Sequence, residues 1–470
     1  MYEIIFYAII LIMKTLSISI GAALLAATIL AAGAVEEKAS PFRYGGDIRL
    51  RQELWDDIPL PTETPIVTRN GFNNTYRLRT RAFAAYDFAD WMTANVRFTH
   101  MFYETIAGPE SFKWPDELSL DNANLEVRDL TGEGSKLVVG RQDIFLGSGR
   151  LIFEGTALDA ARTTFFDGIL LHQPTDEKHS IDFFAVYDKD EDPLAIGNVH
   201  RQLRGYSPSV DGRDEAGVGI FLNFVDPDGD YSASAYLIWK HETGAFAADG
   251  AHVENDDIFT FGFLGNMRVD RFSFEAELAI QADQEEFRND FRHYLDWDPG
   301  WGWLQGLAYA GIKYDAIEKE EKKNSPLVIG IDCLYLSADD PDTKYDEAFN
   351  PVFSRYPFLS ELMIYDFDTE GAGNWNNLVH PRVTARAKMA GHSLSLSAGP
   401  VFAQERNGAG GGHRRGDLYM AQYTFPLFSG FKNGRGKTSG CLLAEILNPG
   451  DYYLSDHTAY FFRWQIVVAF

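Results

Sequence analysis

Ten arginines share one phase of an alternating pattern: Arg49, Arg51, Arg77, Arg79, Arg81, Arg97, Arg128, Arg141, Arg268 and Arg463. A guanidinium stays charged at any accessible pH, and its planar fork of donors matches a carboxylate or the hydroxyls beside one. A ladder of such groups along a narrow passage lowers the barrier for an anion crossing it. The competing role is structural. Asp47, Glu53, Asp87, Glu126, Glu275, Glu277, Asp332 and Glu445 fall on the same phase. Roughly half of the arginines are expected to pair with them and hold a wall together.

The elements that must position these side chains are strands. From 42 to 54, Phe42, Tyr44, Ile48, Leu50 and Leu54 take one face, and Arg43, Asp47, Arg49, Arg51 and Glu53 the other. Tyr76, Leu78, Ala82, Ala84, Tyr86 and Phe88 oppose Arg77, Arg79, Arg81 and Asp87, and Phe272, Phe274, Ala276, Leu278 and Ile280 oppose Ser273, Glu275, Glu277, Gln281 and Asp283. Period-2 alternation of this kind marks strands with one apolar face. It delimits 18 segments: 42–55, 75–88, 91–103, 121–130, 135–145, 163–173, 179–188, 216–224, 231–241, 257–268, 271–283, 303–314, 326–338, 381–388, 393–403, 417–427, 438–447 and 459–470.

The count is even, and the connectors alternate in length. Those after odd-numbered strands are long, with 188–216 and 338–381 the longest, while those after even-numbered strands are tight, as at Ala89-Asp90 and Val269-Asp270. The 314–326 connector breaks the rule. The last strand, Tyr460 to Phe470, alternates aromatic and polar residues up to the terminal Phe. These features predict an all-β fold: a transmembrane, antiparallel, up-and-down barrel with short periplasmic turns and long extracellular loops. The expected setting is the bacterial outer membrane, with its lipid as partner and barrel assembly machinery recognising Phe470, and a monomer is expected. A large secreted sandwich or propeller is the alternative, although no 40–50-residue repeat supports a propeller.

Composition agrees. The 470 residues carry a formal charge of −26, which disfavours a nucleic-acid partner. The 42 glycines, 22 tyrosines and 35 phenylalanines suit a β-rich chain, and two cysteines, Cys333 and Cys441, are too few for a disulfide scaffold. Residues 1–34 read as a signal peptide: Met13-Lys14 precedes the apolar run Leu16 to Leu30, and Ala32-Gly33-Ala34 offers a small-residue cleavage site. Met13 is then the expected initiator, with an N-terminal membrane anchor as the competing reading. Residues 35–470 form the barrel domain. After Ala34 no stretch approaches the roughly 18–20 apolar residues of a spanning helix.

One stretch carries a family resemblance. Gly140-Arg141-Gln142-Asp143-Ile144-Phe145-Leu146-Gly147-Ser148-Gly149-Arg150-Leu151-Ile152, followed by Arg162-Thr163-Thr164-Phe165-Phe166-Asp167-Gly168, resembles the alginate-export family of outer-membrane barrels. Asn448 to Tyr453, then Ala459 to Arg463, is similar to the last hairpin of such proteins. Asp346 to Leu359, with Phe349, Pro351, Phe353 and Pro357, resembles their aromatic-proline loop segment. The resemblance implies an 18-stranded monomer whose arginine-lined lumen passes a uronate polymer passively. Carried over to this sequence, the basic constriction falls on Arg77, Arg79, Arg81, Arg128 and Arg141. Arg49, Arg51, Arg97 and Arg463 complete the expected pore lining.

Two other functional classes compete with a channel. An outer-membrane hydrolase needs a nucleophile, a histidine and an orienting acid, and the scattered histidines show no such spacing. The Gly408–Gly412 run lacks the Lys-Ser/Thr of a phosphate loop. A polysaccharide binder that does not conduct would use Trp297, Trp301 and Trp303 as stacking platforms. The acidic runs Asp188 to Asp192 and Asp339 to Asp342 offer oxygens for Ca²⁺, but neither has the spacing of a calcium loop, and solvated loop charge is the expectation. No catalytic residue, cofactor or metal is expected.

Overall fold

The computed structural model describes residues 40–470 apart from 61–67, 70–71, 109–112, 154–164, 190–194, 197–213, 244, 247–251, 254–255, 284–304, 318–324, 341, 343–346, 355–358, 364–375 and 430–435. The expected signal peptide with Met13, the tryptophans Trp297, Trp301 and Trp303, and Arg162, Asp190 to Asp192, Asp346 and Pro357 lie outside the described residues.

Eighteen strands form the wall: β1 (Phe42–Asp56), β2 (Asn73–Ala89), β3 (Met92–Ala107), β4 (Lys113–Arg128), β5 (Lys136–Gln142), β6 (Phe166–Pro174), β7 (His179–Asp188), β8 (Glu215–Val225), β9 (Tyr231–Glu242), β10 (Asp256–Val269), β11 (Phe272–Asp283), β12 (Gln305–Asp315), β13 (Leu327–Leu336), β14 (Leu378–Met389), β15 (His392–Phe402), β16 (Arg414–Ser429), β17 (Lys437–Pro449) and β18 (Ala459–Ala469). Each pairs antiparallel with its sequence neighbours. β1 also pairs with β18, from Asp47↔Ala469 to Asp56↔Tyr460, so the sheet closes, and beyond the short β5 the segment Ala195–Ile196 pairs with Ser119 and Leu118 of β4. Closure is what lets a strand cross lipid, because every backbone donor and acceptor finds a partner within the wall. The terminal Phe470 adds two rungs to this seam, exchanging backbone hydrogen bonds of 3.0 and 2.9 Å with Gly46.

All eighteen expected strands are present, with some ends displaced. β4 starts at Lys113 rather than 121, because a register shift at Arg97/Phe98 breaks the alternation of its outer half. β5 stops at Gln142 and β6 starts at Phe166. Several turns after even-numbered strands are tight, with two residues between β2 and β3, β10 and β11, and β14 and β15. Ala390 and Gly391 both take positive φ (50° and 85°), the backbone of a two-residue type I′ hairpin. The 314–326 connector stands on this turn side despite its length.

Side chains alternate across the wall. Leu50, Leu237, Phe261, Ile331, Val383 and Leu396 are exposed on the outer face, an apolar surface far larger than a monomer in water displays. Outward aromatics mark the turn end (Tyr86, Phe88, Trp91, Tyr231, Phe272, Tyr314) and recur toward the loop end (Tyr187, Tyr419, Tyr460). Two such girdles flanking an apolar band are the signature of a membrane-spanning barrel.

The lumen is not empty. Residues 143–153, after β5, are buried at Ile144, Gly149 and Leu151 to Phe153, and two stretches of the connector after β13, 347–354 and 359–363, are largely buried. Phe145–Leu146, Ile152–Phe153 and Phe353–Ser354 form a small three-stranded sheet of their own. Around it Ile144, Leu151, Ile152, Phe349, Val352 and Phe353 join inward residues of β6 to β18 in one hydrophobic core. Phe353 meets Phe166 and Phe184 edge-on, and Leu362 and Met363 are fully buried. Among the described residues this apolar plug packs against the wall from β6 round to β18 and meets the β1 to β5 side mainly at Trp55, Ile58 and, through Asp143, Arg97.

Candidate functional site

The wall of β1 to β3 carries the arginines. β1 and β2 set them directly opposite one another, Arg49↔Arg79 and Arg51↔Arg77, with Asp47↔Arg81 one step along. Like charges facing across a ladder are unfavourable, so this register needs compensation. It comes from carboxylates opposite and diagonal to them. Asp47 takes Arg79 (3.2 Å) and Arg81 (2.6 Å). Glu53 takes Arg51 (3.2 Å), Arg77 (2.8 Å) and, across the closing seam, Arg463 (2.8 Å). Arg51 also donates twice to Gln465, at 3.0 and 2.6 Å. On β3, Arg97 reaches Asp121 (3.0 Å) and Asp143 (2.8 Å).

Exposure sorts these groups. Arg49, Arg51, Arg79 and Arg463 are buried in the network, whereas the Arg77, Arg81 and Arg97 side chains keep 22%, 20% and 16% of their surface open. The last three meet the water of the lumen; the others hold them in place. Arg463 additionally binds Glu361 of the plug (2.8 Å), tying the loop after β13 to this wall.

Two expected pore arginines stand elsewhere. Arg128 is at the turn end of β4, where it binds Glu126 (2.6 Å), the Asp90 carbonyl (3.0 Å) and the Thr93 hydroxyl (3.1 Å). Arg141 is closed off from water at the end of β5. It grips Asp167 with two hydrogen bonds (2.8 and 2.7 Å), donates to the Leu120 carbonyl (2.8 Å) and stacks its guanidinium carbon 3.6 Å from the Phe165 ring centre. Arg268, at the other side of the barrel, pairs with Asp315 (2.5 Å).

The pieces of the Gly140–Gly168 motif form one unit. Gly140 has φ +115°, and a Cβ there would sit 2.4 Å from the Ala123 carbonyl, so the approach to β4 requires glycine. Arg141 and Gln142 then end β5, and Asp143 leads the chain into the lumen. Gly147 and Gly149 turn the loop with positive φ. Asp167, on the returning β6, closes the unit by binding Arg141.

The tip of this loop crosses to the opposite wall, a contact that strand patterning does not reveal. Arg150 bridges Glu275 and Glu277 of β11, each at 2.8 Å, and its guanidinium carbon lies 3.6 Å from the Tyr309 ring centre of β12. Glu277 also accepts from the Ser148 hydroxyl (2.6 Å) and from Tyr236 of β9 (2.9 Å). A second buried cluster supports the plug at the loop end: Lys240 lies between Glu215 (2.8 Å) and Glu242 (2.5 Å), 5.5 Å from the Phe353 ring centre. The only sequence hint of the plug was the run of apolar residues in connectors that should be polar. Cys333 and Cys441 are free and stand on opposite faces by alternation, on β13 and β17.

No family model matches the sequence, and no curated protein is similar to it in sequence. Solved structures are similar in shape. Pseudomonas aeruginosa OccK5 (OpdH) is 12% identical, with a TM-score of 0.51 over 91% of this chain and 97% of that one. P. aeruginosa OpdK, solved with vanillate, is 10% identical with a TM-score of 0.50 over 91% and 98%. Acinetobacter baumannii OccAB3 is 10% identical, with a TM-score of 0.50 over 91% and 99%. The chain has the fold of an outer-membrane porin. Within that fold, the described residues place an arginine network on β1 to β3 and an apolar cluster along β6 to β18.

Proposed function

We propose that the chain is a passive outer-membrane channel for anionic saccharides: uronate oligomers, or a polymer such as alginate. The observation that carries this reading is the asymmetry of the lumen. Among the described residues the plug's apolar contacts fall mainly on β6 to β18, while Arg77, Arg81 and Arg97 on β2 and β3 keep part of their surface open. A passing carboxylate exchanges hydration for these forks without meeting a fully unpaired cation, since Asp47, Glu53 and Asp121 share the same guanidiniums. That compensation suits conduction, because a site must release what it admits, and affinities of about millimolar follow. The vanillate in OpdK is a carboxylate, the group it shares with a uronate.

On this reading the signal peptide at 1–34 directs export, Phe470 serves recognition by the assembly machinery, the barrel works as a monomer in outer-membrane lipid, and no catalytic residue or cofactor takes part. The test is planar-bilayer recording of the refolded 35–470 chain in a salt gradient. Anion-selective steps blocked by oligouronate are expected; selectivity for cations, or indifference to oligouronate, overturns it. One observation favours a second reading, a binder that does not conduct: the apolar plug resembles the core of a soluble domain. Silent membranes together with retained oligouronate binding would select it.

A further inference from the structure

Arg97 divides its guanidinium between two carboxylates of different standing. Its Nε donates to Asp121 at 3.0 Å, and Asp121 is held in turn by the Thr99 hydroxyl at 2.7 Å. That acid is fully buried in the wall. The two terminal nitrogens donate side by side to Asp143, at 2.8 and 2.9 Å, the bidentate geometry that a guanidinium offers any carboxylate. The Asp143 side chain keeps 37% of its surface open, against none for Asp121. Asp143 is also the first residue past β5. Its neighbour Ile144 is already buried in the plug, so the acid on the fork and the root of the inward loop are one residue apart.

We propose that the terminal-nitrogen fork of Arg97 is a carboxylate-binding site of the channel, and that Asp143 is its built-in competitor. An entering uronate takes the fork by displacing Asp143, and the same exchange loosens the root of the loop that fills the lumen. The inference rests on the channel reading above. Its physical merit is balance: one bidentate carboxylate replaces another, so the exchange costs little, and Arg97 is never left unpaired because Asp121 stays. The internal acid also sets a threshold. Halides and neutral sugars cannot match both donors at once, so the fork favours planar carboxylates over anions in general.

The experiment records single channels of the 35–470 chain with glucuronate as probe and glucose as control. Asp143→Asn leaves the fork without a charged competitor, and the half-blocking glucuronate concentration should fall about tenfold, with glucose still inert. Arg97→Gln should raise that concentration, and adding Asp143→Asn to Arg97→Gln should then change nothing further. Asp143→Ser takes the place of Asp143→Asn should the amide prevent insertion into the membrane. If the unaltered channel is anion-selective and blocked by glucuronate, but Asp143→Asn and Asp143→Ser leave the block unchanged, the competitor role is overturned and the channel reading stands. If the unaltered channel shows neither selectivity nor block, both fall together.

Discussion

Arg150→Gln is the perturbation that separates a fixed constriction from a loosely lying loop. Arg150 is the contact that carries the tip of the 143–153 loop across to β11, and the substitution removes two ion pairs of 2.8 Å and the stacking on Tyr309 in one step. Glu277 is almost wholly buried. Taking away the cation of a buried pair costs about 3–5 kcal/mol, because the remaining charge has no solvent to return to. Here the Ser148 and Tyr236 hydroxyls still donate to Glu277, so the lower end, about 3 kcal/mol, applies. The barrel ladder is untouched, so this loss falls on docking of the loop rather than on the wall. A change of about 3 kcal/mol moves the docked-to-undocked ratio by about a hundredfold. In single-channel records the variant should show frequent excursions to a higher conductance, while thermal unfolding of the barrel in detergent stays near that of the unaltered protein. Glu277→Gln should reproduce the excursions. A quiet record at unchanged conductance from Arg150→Gln would refute the idea that this bridge fixes the loop.

The arginine wall makes a graded prediction. Arg81→Gln leaves Asp47 paired with Arg79 and should reduce anion preference in reversal-potential measurements with little loss of stability. Arg79→Gln removes a buried cation and should lower thermal stability more than it changes selectivity; equal selectivity losses from the two would contradict the sorting by exposure. Neutralising Arg77, Arg79 and Arg81 together leaves Asp47 without either of its arginines, so the triple variant should insert poorly, measured by heat-modified gel mobility. Gly140→Ala forces a side chain against the Ala123 carbonyl at a positive φ and should destabilise the protein by about 2 kcal/mol or more, read from the unfolding midpoint. Asp176, in the turn after β6, is held down to about 2 by the Lys178 backbone N–H, the His179 ring and the His179 backbone N–H. A depressed carboxylate contributes stability that is present above its ordinary value near 3.8 and lost as the pH falls through about 2. The protection of the Lys178 and His179 amides, taken against the intrinsic exchange rate at each pH, should therefore fall between about pH 4 and 2, and Asp176→Asn should abolish that dependence.

The strands were legible because their signal is local. A lipid-facing wall needs one apolar side chain in every two residues, and that demand is met within each segment whatever its neighbours do. The phase of the arginines and of their acids was legible for the same reason: Asp47, Glu53, Glu275, Glu277 and Asp332 all face inward as the alternation requires. What alternation cannot encode is which inward charge meets which. Glu53 serves Arg463 from the far end of the chain, and Arg97 shares a guanidinium between Asp121 and Asp143 only because a bulge displaces the outer half of β4. The plug escaped for a related reason. Phe353 pairs its strand with Ile152 and Phe153 across about two hundred residues, a contact decided by the volume that eighteen strands enclose. A barrel of that width cannot be filled by its own wall side chains, so apolar residues in long connectors have somewhere dry to go. Phe349, Val352 and Phe353 stand in such a connector, and in a solvated loop they would be a liability. An inward plug is the arrangement that satisfies them, and among the described residues its apolar contacts fall mainly on β6 to β18, apart from the arginines of β1 to β3.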